Sequence, residues 1–172
     1  EARTASVIVS GAKTETFTIT QNVANLDTET NKLEYAQSGG SYLLKINSEV
    51  TWSASTSYDW IDVAPVSGTA GEANITISTT PIWDTKQRYG TVGFYVGDQA
   101  FATVLILQEG VSLSAPEKVL FRALGESKAI QVEGNLSWNV LSKPSWVTIS
   151  PDGANGSSMI TITAENNSDA TK

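Results

Sequence analysis

Apolar and polar residues alternate along most of the chain, and a period of two marks a strand with one buried face. Ser6-Val7-Ile8-Val9-Ser10, Thr16-Phe17-Thr18-Ile19-Thr20 and Asn74-Ile75-Thr76-Ile77-Ser78 show it. Leu43-Leu44-Lys45-Ile46, Thr91-Val92-Gly93-Phe94-Tyr95-Val96 and Thr148-Ile149 continue it. These runs are built from Val, Ile, Thr and aromatic residues, which suit a pleated, half-buried surface. Turn-forming clusters separate them: Ser38-Gly39-Gly40, Ser67-Gly68-Thr69-Ala70-Gly71, Gly97-Asp98-Gln99 and Asp152-Gly153-Ala154-Asn155-Gly156. No segment sustains the three-and-four spacing of an amphipathic helix. Short strands between regularly placed turns predict an all-β sandwich or barrel.

The pattern also repeats. Leu33, Tyr35, Gly39, Trp52, Trp60 and Pro65 recur 86 residues later as Val119, Phe121, Gly125, Trp138, Trp146 and Pro151. After the loss of one loop residue, Gly68, Gly71, Ile75 and Ile77 recur at an offset of 85 as Gly153, Gly156, Ile160 and Ile162. The register extends backward: Arg3 and Val7 match Arg88 and Val92, while Phe17, Ile19 and Gln21 match Val104, Ile106 and Gln108. The small change of offset between the two sets falls in a hairpin turn, where insertions cost little.

The repeat sets the expected organisation. Residues 1–21 are the closing strand pair of one repeat, and 22–30 are a polar linker carrying Asp27 and Glu29. Residues 31–110 are one complete sandwich, and 111–172 are a repeat without its last two strands. The stretch Glu109–Pro116 is more apolar than the first linker and is expected to pack on the sandwich and stiffen the junction. An unfinished repeat exposes an open sheet edge. Two readings are open. Either residues 3–21 of one molecule complete 111–172 of another by strand exchange, or the chain is a stretch of a longer array.

Composition narrows the chemistry. The chain has 172 residues, no Cys and no His, so disulfides, thiolate or imidazole metal sites and a Ser-His-Asp triad are all excluded. A formal charge of −7 disfavours nucleic acid as a partner, since phosphate contacts need clustered Lys and Arg. Twenty serines and twenty threonines with only 17% charged residues make a hydroxyl-rich surface of the kind common in extracellular β proteins. The longest apolar run, Phe101–Leu107, is far short of a membrane span. The chain opens on Glu1 rather than Met and reads as an excised or processed fragment, with any signal or lipid anchor upstream.

Residues copied between repeats are expected to be scaffold. Trp52 and Trp138 each open an alternating strand and are assigned to the structural core, burying about 200 Å² each. Trp60 and Trp146 are assigned to the core as well, with Ile61 and Val63 alternating beside Trp60. Trp83 has no aromatic counterpart; the aligned position is Ser168. It lies in a Pro-containing connection near Asp84, Lys86, Arg88 and Tyr89. A loop Trp of this kind either stacks on a sugar ring, with Tyr89 and Tyr58 completing a carbohydrate-binding set, or plugs the end of the sandwich.

The carboxylates Asp59, Asp62, Asp84 and Asp98 could serve glycoside hydrolysis in pairs, but Asp59 and Asp62 become Ser145 and Thr148 in the next repeat, which favours solvated surface acids. Asp152-Gly153-Ala154-Asn155 lacks the spacing and terminal Glu of a calcium loop. Asn74, Asn135, Asn155 and Asn166 head glycosylation sequons. No catalytic residue, metal or cofactor is assigned.

The paired motifs resemble a known module. Trp52, Asp59-Trp60-Ile61-Asp62-Val63-Ala64-Pro65, Gly68, Gly71 and Ile75-Thr76-Ile77 run on to Arg88-Tyr89-Gly90-Thr91-Val92 and Gln108-Glu109-Gly110. Trp138, Ser145-Trp146-Val147-Thr148-Ile149-Ser150-Pro151, Gly153, Gly156 and Ile160-Thr161-Ile162 repeat the first part. This is similar to the BACON domain, the Bacteroidetes-associated carbohydrate-binding, often N-terminal module. The resemblance covers nearly the whole chain, with Arg3 and Gln21 in the marker positions of the closing strands.

The resemblance implies tandem immunoglobulin-like β-sandwiches on a secreted or cell-surface bacterial protein, anchored in the outer membrane in the full-length form. It implies a non-catalytic spacer or scaffold for glycan-processing partners, with neighbouring domains of the same polypeptide as contacts. A glycan- or mucin-binding module and a protein–protein adhesin assembling through strand edges are the alternatives. The family carries no shared ligand residue over to this sequence. Asp59, in place of a small residue, and Trp83 are departures from its pattern.

Overall fold

The computed structural model describes residues 2–167. Every regular element in it is a strand, seventeen in all among the described residues. Contacts group the chain into two compact units. Among the described residues, one comprises 2–33, 41–79 and 90–106; the other comprises 34–40, 80–89 and 107–167.

The chain opens with a hairpin, β1 (Arg3–Ser10) and β2 (Thr14–Gln21), paired antiparallel from Arg3↔Gln21 to Ser10↔Thr14. It forms a two-stranded sheet of its own. Gly11 N–H donates to the Lys13 carbonyl at 3.0 Å to close the turn, and Lys13 pairs with Glu15. Val7 stands opposite Phe17 and Ala5 opposite Ile19, so these four share one face, while Ile8, opposite Thr16, lies on the other.

The first repeat is a sandwich of two antiparallel-rich sheets. One takes β3 (Leu26–Thr28), β5 (Gly40–Ser48), β7 (Ile61–Ala64) and β9 (Gly71–Thr79), in the order β3-β5-β9-β7. The other takes β4 (Lys32–Tyr35), β6 (Trp52–Ser55), β8 (Ser67–Gly68), β10 (Arg88–Val96) and β11 (Gln99–Gln108), in the order β4-β11-β10-β6-β8. Alternation places Leu44 and Ile46 of β5, Ile75 and Ile77 of β9, and Ile61 and Val63 of β7 in the core. Trp52, Val92, Phe94, Val104 and Ile106 fill it from the second sheet.

Trp52 lies 6.5 Å from Phe94, centroid to centroid, with the rings tilted by 57°. Its face rests on Gly68, where a Cβ would come within 2.6 Å of the indole, so only glycine fits beneath it. The Trp52 indole N–H is buried and finds no acceptor among the described residues.

Residues 22–30, expected to be an exposed linker, contain β3. Leu26 is buried and the strand pairs with β5 from Leu26↔Ser48 to Thr28↔Ile46. Leu26, between polar Asn25 and Asp27, recruits the segment to a sheet edge because its backbone can complete a ladder there.

The second repeat has β12 (Leu113–Ser114), β13 (Glu126–Gly134), β15 (Val147–Ser150) and β17 (Ser158–Ala164) in one sheet, ordered β12-β13-β17-β15. β14 (Ser137–Asn139) and β16 (Gly153–Asn155) form a separate pair. The first sheet thus reproduces β3-β5-β9-β7, and the pair reproduces β6-β8. Residues 118–121, the counterpart of β4, form no strand. Both repeats carry a cis proline at the same place, Ala64-Pro65 and Ser150-Pro151. Ser168, aligned with Trp83, lies outside the described residues.

Candidate functional site

The polar centre of the complete repeat is Gln108, which is fully buried at the end of β11. Its Nε2 donates toward the carbonyls of Thr80 at 2.9 Å, Ala36 at 3.1 Å and Gln37 at 3.3 Å. Its Oε1 accepts from Arg88 Nε at 3.0 Å. Arg88 Nη2 then donates to the Thr80 carbonyl at 2.7 Å. One side-chain pair thereby ties two connections together through a buried amide, adding to the bonds that the Ala36 and Gln37 carbonyls already accept from the Gly39 and Ile82 N–H groups. The spacing of Arg and Gln in the sequence marks this clasp, and its role is architectural.

The repeat boundary is held by Asn135. Its Nδ2 donates to the Gly110 carbonyl at 2.9 Å, and its Oδ1 accepts the Ser112 N–H at 2.8 Å. Its own carbonyl accepts Gln37 Nε2 at 3.3 Å. Val111 N–H donates to the Asp84 carbonyl at 2.8 Å, and a Cβ on Gly110 would overlap the Thr85 carbonyl. The stretch after β11 is thus pinned to residues on both sides of the boundary, all within one compact unit. The apolar character of the stretch hinted at packing, whereas the sequence marked Asn135 only as the head of a glycosylation sequon.

The proposed sugar-binding residues Trp83, Tyr89 and Tyr58 are all exposed. Trp83 is 76% exposed, on a connection anchored by buried Ile82 and by Asp84 Oδ1, which accepts the Lys86 N–H at 2.9 Å. Tyr89 is half exposed. Tyr58 belongs to the other compact unit, where it packs edge-on against Trp60 at 6.0 Å. Trp83 therefore does not plug the sandwich; its ring is open to solvent.

The tryptophans assigned to the core fare unequally. Trp52 is buried, Trp60 and Trp138 are partly buried, and Trp146 is 53% exposed. Trp146 is a correction: Trp60 packs against Tyr58 and Gly90, and the Trp146 ring has no such cover among the described residues. Trp138 differs from Trp52 in having an acceptor, the Gly156 carbonyl at 2.8 Å.

Asp59, Asp62, Asp84 and Asp98 are all exposed. Gly153–Asn155, set against a calcium loop in the sequence, is strand β16, paired with β14 from Ser137↔Asn155 to Asn139↔Gly153.

Two surface clefts stand out. One, of about 530 Å³, lies over β3, β5 and β9 and holds Asp27, Glu29, Lys45 and Glu72. Two of its acids are engaged: Glu29 accepts the Lys45 N–H at 3.1 Å and Asp27 accepts Asn25 Nδ2 at 2.6 Å. Glu29 also raises the pKa of Tyr42, chiefly through its charge. The other cleft, of about 650 Å³, lies in the second repeat between residues 119–123, Trp146 and Glu165. At its rim the Glu126 carboxylate is held below the usual range, first by the Arg122 N–H and then by Lys128. The Lys128 ammonium sits 5.6 Å from the centroid of the Phe121 ring.

The fold defines a class: tandem immunoglobulin-like β-sandwich modules, one repeat complete. Within that class, the family model described as the viral BACON domain matches residues 41–110 and 115–172. The chain belongs to the BACON-domain family, and the matching description is the viral variant. None of the curated proteins matches the chain.

Among solved structures, a Bacteroides ovatus GH5 xyloglucanase in complex with a XXXG heptasaccharide is 21% identical, with a TM-score of 0.47 over 56% of this chain and 21% of that one. The surface layer protein SbsC, domains 4–9, is 11% identical, with a TM-score of 0.42 over 99% of this chain and 31% of that one. The D00-D0 domain of intimin is 14% identical, with a TM-score of 0.39 over 84% and 87%.

Proposed function

We propose that the chain is a non-catalytic spacer or scaffold module of a secreted or surface-exposed protein, whether of a bacterial cell or of a virus particle. Outer-membrane anchoring of the whole protein and glycan-processing partner domains belong to the same reading. The observation that carries it is the Asn135 junction, where one side chain bonds Gly110 and Ser112 at the repeat boundary. A spacer needs joints that hold neighbouring units in a fixed relation, and repeat arrays gain stiffness from such nearest-neighbour contacts.

Hydrogen–deuterium exchange tests this. Exchange at Val111 and Ser112 is expected to be slow in the native chain and to accelerate about tenfold in Asn135→Ala, the equivalent of one lost hydrogen bond. Exchange in the native chain as fast as in an unstructured peptide would remove the stiff joint and the reading with it.

A second reading, carbohydrate or mucin binding, is supported by the open Trp83 ring, since an exposed aromatic face suits the CH-rich face of a pyranose. Titration calorimetry with plant and mucin polysaccharides is expected to show binding that Trp83→Ala abolishes without a change in Tm. Heat that is the same in native and variant chains would rule out Trp83 as the contact.

A further inference from the structure

Asn155-Gly156 is the only Asn-Gly pair in the sequence, and it lies at the end of β16. An asparagine followed by glycine carries a built-in reaction. The Gly156 amide nitrogen, once deprotonated, attacks the Asn155 Cγ. A C–N bond forms, the Cγ–Nδ2 bond breaks, and ammonia leaves with the proton, so a cyclic succinimide results. Water then opens the ring at either carbonyl and gives aspartate or isoaspartate. No side chain on residue 156 hinders the approach. Elsewhere in the chain asparagine precedes Val, Leu, Lys, Ser, Ile or Asn, each of which does.

The fold demands the glycine but not the asparagine. Gly156 has a φ of +76°, which other residues adopt only with strain. Its counterpart Gly71 has a φ of +113°, but the residue before it is Ala70, which has no amide to lose. In the second repeat both reacting groups are engaged. The Gly156 N–H donates to the Leu136 carbonyl at 3.0 Å, and Asn155 Oδ1 accepts from Ser137 Oγ at 3.2 Å. The β14–β16 pair holds them in register, with Ser137 opposite Asn155. The Gly156 carbonyl in turn accepts the Trp138 indole N–H at 2.8 Å. Gly156 is therefore tied at its N–H and at its carbonyl, while Asn155 is exposed to the water that completes the reaction.

We propose that Asn155 is a modification site gated by opening of the β14–β16 pair. Closed, the pair retains the amide; opened, it loses the amide, and reclosing does not restore it. The product alters the fold. Isoaspartate routes the main chain through the former side chain and adds a backbone methylene before Gly156. Gly156 then falls out of register with the Leu136 carbonyl and the Trp138 indole. Trp138, the counterpart of buried Trp52, loses its acceptor. A second repeat once opened by heat or tension thus keeps a lasting mark and a looser tryptophan, whereas Ala70-Gly71 in the first repeat has nothing to lose. The proposal is independent of the spacer reading and of whether any glycan is bound.

The experiment is incubation of the full chain at mildly alkaline pH, native and in urea, with mass spectrometry of the peptide that holds Asn155 and Gly156. The readout is the mass gain of an amide-to-acid exchange, with aspartate and isoaspartate separated by chromatography. Conversion is expected in urea and should be slower by at least about tenfold in the native chain, the protection that one ordinary hydrogen bond confers. Trp138→Phe keeps a ring in place but frees the Gly156 carbonyl, and should speed native conversion several-fold with the urea rate unchanged. Ser137→Ala, at an exposed position, frees Asn155 Oδ1 and is the milder second variant, with a smaller increase expected. The chain converted in urea and refolded should unfold at lower urea than the unconverted chain, a loss that Asn155→Gln prevents. Native conversion as fast as in urea, or a native rate that neither variant raises, overturns the proposal. So does a converted chain that refolds with undiminished stability, or the absence of conversion in urea.

Discussion

Leu33, Tyr35 and Gln37 are buried in the first repeat, whereas Val119, Phe121 and Ala123, which occupy the same places in the second, are partly or fully exposed. The two regions share their tryptophans, their cis prolines and the order of their first sheet. They differ in whether a β10–β11 hairpin closes the second sheet. The comparison separates two things that usually arrive together. Local alternation and turn residues suffice to lay down β13, β15 and β17, but the burial of their apolar face depends on strands supplied from elsewhere. Even the regularity of a peripheral strand depends on them: the β4 segment is a strand beside β11, and its counterpart without such a neighbour is irregular.

Three measurements can break or sharpen this contrast. The largest effect is expected at the paired tryptophans. Trp52→Ala should lower the stability of the first repeat by about 3–5 kcal/mol in urea unfolding, and Trp138→Ala should lower that of the second by about half as much, because its ring is only partly buried. Equal costs in the monomeric chain would erase the distinction, while a Trp138→Ala cost that grows with protein concentration would tie its burial to association.

Next come the two glutamines. Gln108→Leu removes the buried amide that joins the Thr80, Ala36 and Gln37 carbonyls to Arg88 Nε and should cost about 1–3 kcal/mol. Gln21→Leu, on the exposed hairpin, should change the stability of the monomer by less than about 0.5 kcal/mol. A large effect of Gln21→Leu would mean that the Arg3–Gln21 bond carries more of the fold than its exposure implies.

The smallest effect is the acid response. The Glu126 carboxylate has its pKa lowered in the fold by the Arg122 N–H and by Lys128. A lowered folded pKa stabilises the fold above the unfolded value, and that contribution disappears as pH falls through the folded value. The second repeat should therefore lose stability on mild acidification in a way that Glu126→Gln abolishes. The first repeat, with Gly40 at the matching position, lacks this contribution. An identical acid profile in the Gln variant would remove Glu126 from the account.

Much of this was legible in the residues. The strand runs, the tandem register and the sandwich class follow from a period of two and from Trp, Gly and Pro at repeated spacings. The Arg and Gln markers were visible too, though only the structure shows that they clasp each other and three carbonyls. What the sequence concealed depends on long-range partners. Leu26 lies among polar residues, and its strand is evident only once Ser48 is across from it. Asn135 reads as a sequon, and its grip on Gly110 and Ser112 requires the repeat boundary to be folded. Trp146 matched Trp60 in pattern, yet its ring is exposed where that of Trp60 packs against Tyr58.

The placement of β4 beside β11 has a mechanical consequence. Once the short edge strand β3 has been pulled from β5, these are the strands at the two ends of the sandwich, and their bonds, Leu105 to Asn31 and Glu109 to Tyr35, ascend together, so the two run parallel. Tension applied across the repeat pulls them past each other in shear, loading their hydrogen bonds simultaneously rather than peeling them one at a time. A fold wired in this way resists stretching until the whole ladder yields at once.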